Sequence, residues 1–180
     1  ILITLILTVS SGITYIIGKE LFFSRLARDS NTAYYIADTA MECATFLDDT
    51  FVNRDGMGVF EYPPIGVNTA TSTLNEINAI RQSNSIPTIL MTDIRCASVS
   101  IFDSNLTSFS VEEGVASDGT PSVISSYTMT MDAGDGKVSC AKVTVNKTAT
   151  WRQIIARGFN TCNFGSKNVL ERAIVSTSER

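Results

Sequence analysis

The chain contains no histidine. That removes the commonest general base and the commonest metal ligand in one stroke. Serine and threonine are plentiful, but a hydroxyl nucleophile would then need a lysine or a terminal amine as its base, and no such arrangement is visible. Charge is also sparse: 18% of the 180 residues are charged, no long charged run occurs, and the net charge is −4. A nucleic-acid footprint is therefore not expected. The cysteines, Cys43, Cys96, Cys140 and Cys162, include no C-x-x-C pair, which argues against zinc. Proline is absent before Pro63, so nothing covalent interrupts a helix through the first third of the chain.

What is present first is grease. Ile1 to Gly18 carries no charge, and Ile, Leu and Val dominate it. As a helix it is long enough to cross most of a bilayer's hydrocarbon. The run opens at the first residue, with no basic segment before it and no small-x-small site after it. The expectation is a leader removed just ahead of Ile1 and an apolar helix retained as a working part.

From Leu21 the chain becomes amphipathic. Ile36, Ala40, Cys43, Leu47 and Phe51 recur at spacings of three or four, with Asp29, Asp38, Asp48 and Asp49 on other faces. One helix is predicted from about residue 1 to 51, on the order of 75 Å long. Asn53-Arg54-Asp55-Gly56 is its exit signal. Ser10-Ser11-Gly12 marks a place for close helix packing or for local stretching on assembly. A short helix is expected over Leu74 to Arg81. Strands are expected over Cys96–Phe102, Ser122–Met131, Lys137–Val145, Trp151–Ala156 and Leu170–Ser176, joined by turns at 132–136 and at Asn146-Lys147-Thr148. In Lys137–Val145, Ser139, Ala141, Val143 and Val145 share one side, and Val138, Cys140, Lys142 and Thr144 the other. Short turns imply antiparallel pairing. The fold class is α+β: a long N-terminal helix packed on a C-terminal antiparallel sheet, with residues 1–28 as the hydrophobic segment and 29–180 as the globular domain.

Dispersed cysteines, even in number, beyond an apolar segment suit two disulfides in an oxidising compartment. Of three connectivities, Cys43–Cys96 with Cys140–Cys162 is preferred, because it ties the helix to the first clear strand and closes the C-terminal segment on itself. Asp132, Asp135 and the neighbouring glycines resemble part of a calcium loop, but the EF-hand spacing and closing Glu are missing, so a polar turn is expected. No cofactor or metal is called for. Asn105-Leu106-Thr107 and Asn146-Lys147-Thr148 fit the glycosylation pattern and suggest surface loops. The acidic neighbours Asp48-Asp49 and Glu112-Glu113 are expected at a solvated surface.

The stretch from Asp29 through Ala33-Tyr34-Tyr35-Ile36-Ala37-Asp38 to Met41-Glu42-Cys43-Ala44 resembles the A-F-Y-A-A-D-x-G-x-E-C-A helix of pilin-like proteins from small-genome bacteria. Ala156-Arg157-Gly158-Phe159-Asn160-Thr161-Cys162, followed by Glu171-Arg172-Ala173-Ile174, is similar to the closing S-R-G-Y-N-x-C … E-R-x-I of the same group. The match covers both ends of the chain, and residues 55–135 are unmatched. The resemblance is to type IV pilins. It implies cleavage by a prepilin peptidase, a stay in the inner membrane, and extraction by the pilus assembly machinery into an extracellular helical filament of copies. Such filaments serve attachment, motility or DNA uptake. Ile1, Leu2, Leu5, Ile6, Val9, Ile13, Ile16 and Ile17 would pack in the filament core. Typical members begin with Phe or Met and carry Glu where this chain has Leu5, so register here is expected from apolar packing, with Thr4 or Thr8 near the incoming terminal amine. No enzymatic activity is expected. The rival reading is a monomeric, membrane-anchored extracellular binding module or adhesin.

Overall fold

A computed structural model describes residues 2–50, 60, 78–79, 82–83, 85, 88, 95–96, 99–100, 110–115, 119–132, 138–148 and 150–179. The side chains of Leu2, Leu5, Thr8, Val99, Ser100, Val111 and Glu113 stand outside that description. Helix α1 runs unbroken from Leu2 to Thr50, about 73 Å at 1.5 Å per residue. Its threonines return their hydroxyls to the backbone one turn earlier, Thr14 to the Ser10 carbonyl at 2.9 Å and Thr39 to the Tyr35 carbonyl at 2.9 Å. Hydroxyls placed this way share their carbonyl with the helical N–H, and the helix runs on unbroken through them. Ser10-Ser11-Gly12 lies within this continuous helix.

Among the described residues seven strands follow: β1 (Arg95–Cys96), β2 (Val99–Ser100), β3 (Ser110–Val115), β4 (Pro121–Asp132), β5 (Val138–Lys147), β6 (Trp151–Phe159) and β7 (Glu171–Glu179). The last five form an antiparallel meander in sequence order, and β1 and β2 form a separate small hairpin. The architecture is α+β, a single long helix laid on a five-stranded antiparallel sheet.

Alternation decides which face of the sheet meets the helix. Ser139, Ala141, Val143 and Val145 of β5 are buried, with Val123, Ser125, Tyr127, Met129 and Met131 of β4 and Ile154 and Ala156 of β6. Ile36, Ala40, Met41, Ala44 and Leu47 of α1 join most of them in one core. Phe60 completes it, stacked parallel to the Tyr127 ring at 5.9 Å between centroids. Burial pushes the Tyr127 phenol well above its ordinary pKa, so it stays neutral.

The helix comes closest at β6. A Cβ added to Gly158 would fall inside the Ala33 carbonyl oxygen, and at 2.5 Å from the Ala37 amide nitrogen. Only glycine leaves room for helix backbone at that point. Small partners on both sides make the approach possible, since Ala33, Ala37 and Ala40 are fully buried there.

At the other end of the docked segment sits an ionic lock. The last turn of α1 holds two aspartates and no basic residue, an unfavourable sign for the negative end of the helix dipole. The sheet supplies the cations. Lys147 and Arg152 are direct cross-strand partners, and like charges so placed repel. Asp48 stands between them, accepting from Lys147 Nζ at 2.6 Å on Oδ1 and from Arg152 Nη1 at 2.8 Å on Oδ2. Arg152 also donates to Asp49 Oδ1 at 2.6 Å and to Ser178 Oγ at 3.1 Å. Lys147 and Asp48 keep 1% and 3% side-chain exposure. Burial pulls the Arg152 guanidinium down, the hydrogen bonds to Asp48 and Asp49 push it up, and the net direction is upward. It remains a cation.

Two disulfides fasten the rest. Cys43 bridges to Cys96, carrying the β1–β2 hairpin onto the helix, and Cys140 bridges to Cys162, clipping the β6–β7 connection to β5. The second closes a loop of 22 residues by sequence separation, worth about 3 kcal/mol by chain entropy. Asn160 shapes that connection, donating to the Asn168 carbonyl at 3.1 Å and accepting from the Leu170 amide at 2.8 Å.

Several sequence expectations are corrected. Asp48 is buried rather than solvated, because its position one turn beyond Ala44 lies on the docked face. Asn146 and Lys147 are strand residues and not a turn. The turn begins at Thr148, whose Oγ1 accepts from the Trp151 amide at 3.2 Å. The single strand expected over 96–102 is instead a hairpin of two-residue strands, and β3 was not foreseen. The helix stripe centres on Ala33, Ala37, Ala40, Ala44 and Leu47, leaving Cys43 half-buried on its flank. Of the short helix expected over 74–81, Asn78 and Ala79 are described and helical. Phe51, the exit at 53–56, Asn105-Leu106-Thr107 and most of the 132–136 turn lie outside the described residues.

Two substitutions test the seam. Gly158→Ala should destabilise by about 1–3 kcal/mol through overpacking; an unchanged denaturant midpoint would contradict the close approach. Asp48→Ala removes the anion from between the Lys147 and Arg152 charges and should cost about 3–5 kcal/mol, whereas replacing Asp48 and Lys147 together with apolar residues should cost less. A double variant (Asp48→Leu with Lys147→Met) less stable than Asp48→Ala would refute that account.

Candidate assembly interface

Beyond Asp29 the sheet no longer covers the helix. Among the described side chains between Ile3 and Leu26, twelve large apolar or aromatic ones are exposed: Ile3, Ile6, Leu7, Val9, Ile13, Tyr15, Ile16, Ile17, Leu21, Phe22, Phe23 and Leu26. Ile3 is 74% exposed and even Leu26 reaches 39%. Residues at these spacings occupy every side of a 3.6-residue turn. This is not an amphipathic stripe awaiting one neighbour. It is an apolar rod needing cover all round. Patches of this size on isolated soluble proteins mark interaction sites.

The eight positions expected to pack in a core divide accordingly. Ile6, Val9, Ile13, Ile16 and Ile17 are all more than half exposed. Ile1 and the side chains of Leu2 and Leu5 lie outside the described residues. The small residues make gaps in the rod, since a Cβ on Gly12 or Gly18 would meet nothing within 4 Å beyond its chain neighbours and the helix's own backbone. Aromatic and charged residues gather just past the uncharged run. Lys19 Nζ lies 4.5 Å from the Tyr15 ring centroid, and Phe22 and Phe23 meet edge to face at 6.0 Å. Arg28 Nε is 4.0 Å from Asp29 Oδ1, a long and exposed contact. The apolar theme continues on the outward side of the docked half, where Tyr34, Tyr35 and Phe46 are exposed.

Among the described residues no helix is long and apolar enough to cross a membrane, and no group of three or more potential ligands could hold a metal ion. The chemistry this surface supports is association by burial. Residues that shape its base escaped the sequence reading. Gly158 and the Asp48–Lys147–Arg152 lock fix how the rod projects, and one signal for Lys147 was available: it continues the buried alternation of Ser139, Ala141, Val143 and Val145 by one more step.

The sequence segments that carry the resemblance meet in space. Ala33 and Ala37 face Gly158, and Arg172 Nη2 donates to Ser30 Oγ at 2.7 Å. No protein-family model matches the chain, and no curated protein or solved structure does either.

Proposed function

We propose that this chain is a structural subunit of an extracellular, type IV pilus-like filament, assembled through its N-terminal helix. The observation that carries the reading is the uncovered, mainly apolar rod from Ile3 to Leu26, continuous with the part of the same helix that the domain docks. Full burial of each large side chain is worth roughly 1.5–3 kcal/mol. Copies packed side by side would cover the rod on all sides, and the sheet domains would then tile the outside. Before assembly the same segment would rest in the inner membrane, supplied by the prepilin peptidase and the assembly machinery that the pilin resemblance implies. The role is structural and not enzymatic, and the filament would serve attachment, motility or DNA uptake.

Electron microscopy of sheared surface material tests the proposal directly: filaments containing this chain support it. Cell-bound monomer without filaments favours the anchored binding module instead. Ile6→Lys should abolish assembly and leave the sheet domain folded, because an unpaired charge inside an apolar bundle costs several kcal/mol; normal filaments from this variant would sink the reading. Apolar packing is little weakened by salt, whereas exposed ion pairs are screened within about 10 Å at 0.1 M. Filaments should therefore survive about 1 M sodium chloride and come apart in detergent or strong denaturant. Dissolution by salt alone would place the holding contacts between outer domains.

A further inference from the structure

We propose that Glu20 of one subunit pairs with Arg25 of the next, and that this pair sets the axial register of neighbouring helices. The inference rests on the filament reading above and names the contact that orders it. Glu20 is the one carboxylate in residues 1–28, and it stands exposed on the rod between Gly18 and the Phe22–Phe23 pair. On its own helix the positions one turn away are Ile16, Ile17, Phe23 and Ser24, so no cation lies at the spacings that allow an intrahelical pair. Among the described residues no ion pair reaches Glu20 or Arg25. Of the neighbouring cations, Lys19 lies over Tyr15, and Arg28 makes a long, exposed contact with Asp29. Once the rod is covered by copies, Glu20 and Arg25 lose water, and each would be costly without a counter-charge.

Helix geometry makes them suited to each other across subunits and not within one. Five residues separate them, about 7.5 Å along the axis and about 140° around it. They cannot meet on a single helix. A parallel neighbour shifted by about 7.5 Å brings the Glu20 of one level with the Arg25 of the other. Because the two side chains leave nearly opposite sides of the rod, each subunit offers an acid to one neighbour and a base to another. That is a heterologous contact, and repeated without closing it generates a filament and not a ring or a two-fold dimer. Apolar packing holds such a bundle but is non-directional. The ion pair supplies the register that packing alone leaves loose.

Charge reversal and swap test the pairing in filaments of the full chain, counted by negative-stain electron microscopy. Glu20→Arg and Arg25→Glu should each lower filament yield roughly tenfold or more, by placing like charges together in the bundle. The double variant carrying both changes restores the pair with its signs exchanged, and should recover most of the parent yield. Circular dichroism and non-reducing disulfide mapping of each variant confirm that the sheet domain is folded, so that lost filaments report lost assembly. Single reversals that assemble like the parent overturn the pairing. So does a loss confined to Glu20→Arg, which would give the carboxylate a different cation, and so does a double variant no better than the singles. A parent chain that forms no filaments at all overturns the filament reading itself, and this pairing with it.

Discussion

The contact on which the rest of the structure depends is helix backbone against sheet backbone, where α1 crosses β6 at Gly158. No side chain stands between the Ala33 carbonyl and that strand. A helix brought so near must present small residues, and Ala33, Ala37, Ala40 and Ala44 provide them. The larger residues of the same face, Ile36, Met41 and Leu47, then fill the space on either side against β4, β5 and β6. Close packing of this kind has little tolerance for extra volume. It also fixes the height and direction of the helix over the sheet, and with them the direction of everything N-terminal to Asp29.

One contact would leave the helix free to pivot. The Asp48–Lys147–Arg152 lock holds the far end, about 22 Å along the axis from Ala33, and the Cys43–Cys96 bridge fastens a point between. The lock also resolves two conflicts at once. Lys147 and Arg152 are forced together by strand register, and the acidic last turn of α1 sits at the wrong end of its own dipole. Setting Asp48 between the two cations removes both. Buried pairs are weak evidence for net stability, since desolvation consumes much of the attraction. What the geometry shows is placement: in this register of helix on sheet, Asp48 reaches both Lys147 and Arg152.

Much of this architecture was legible in the sequence because it is periodic. An unbroken helix over the first fifty residues followed from spacing and the missing proline, and β4 to β7 followed from alternation and turns. What was not legible depends on partners. Ser110–Val115 contains adjacent acids and a glycine, and becomes a strand because β4 offers it an edge, with Glu112 opposite Ile124. Two-residue strands such as β1 and β2 carry too few positions to show a pattern. Asp48 and Asp49 look alike in sequence, yet a 100° step along the helix sends one into the core and leaves the other at the surface. Gly158 reads as a weak point in a strand until the helix that needs the space is laid over it. For the uncovered rod the sequence was the better guide, since an uncharged run of eighteen residues announces a need for burial before any fold is known.

The two halves of α1 therefore differ in kind while sharing one geometry. The docked half buries small residues against a partner that the chain itself provides. The free half carries large residues around its whole circumference, and no single domain could cover that circumference without enclosing it. A rod of this sort is satisfied only by a surrounding medium or by an array. In the proposed filament the array would supply that cover, because copies that all project their rods at the same angle from identical domains would bring them parallel without first reorganising. In the proposed filament, fixing that angle within each subunit would lower the ordering cost of association, and Gly158 and the ionic lock would then help to set how the rods meet.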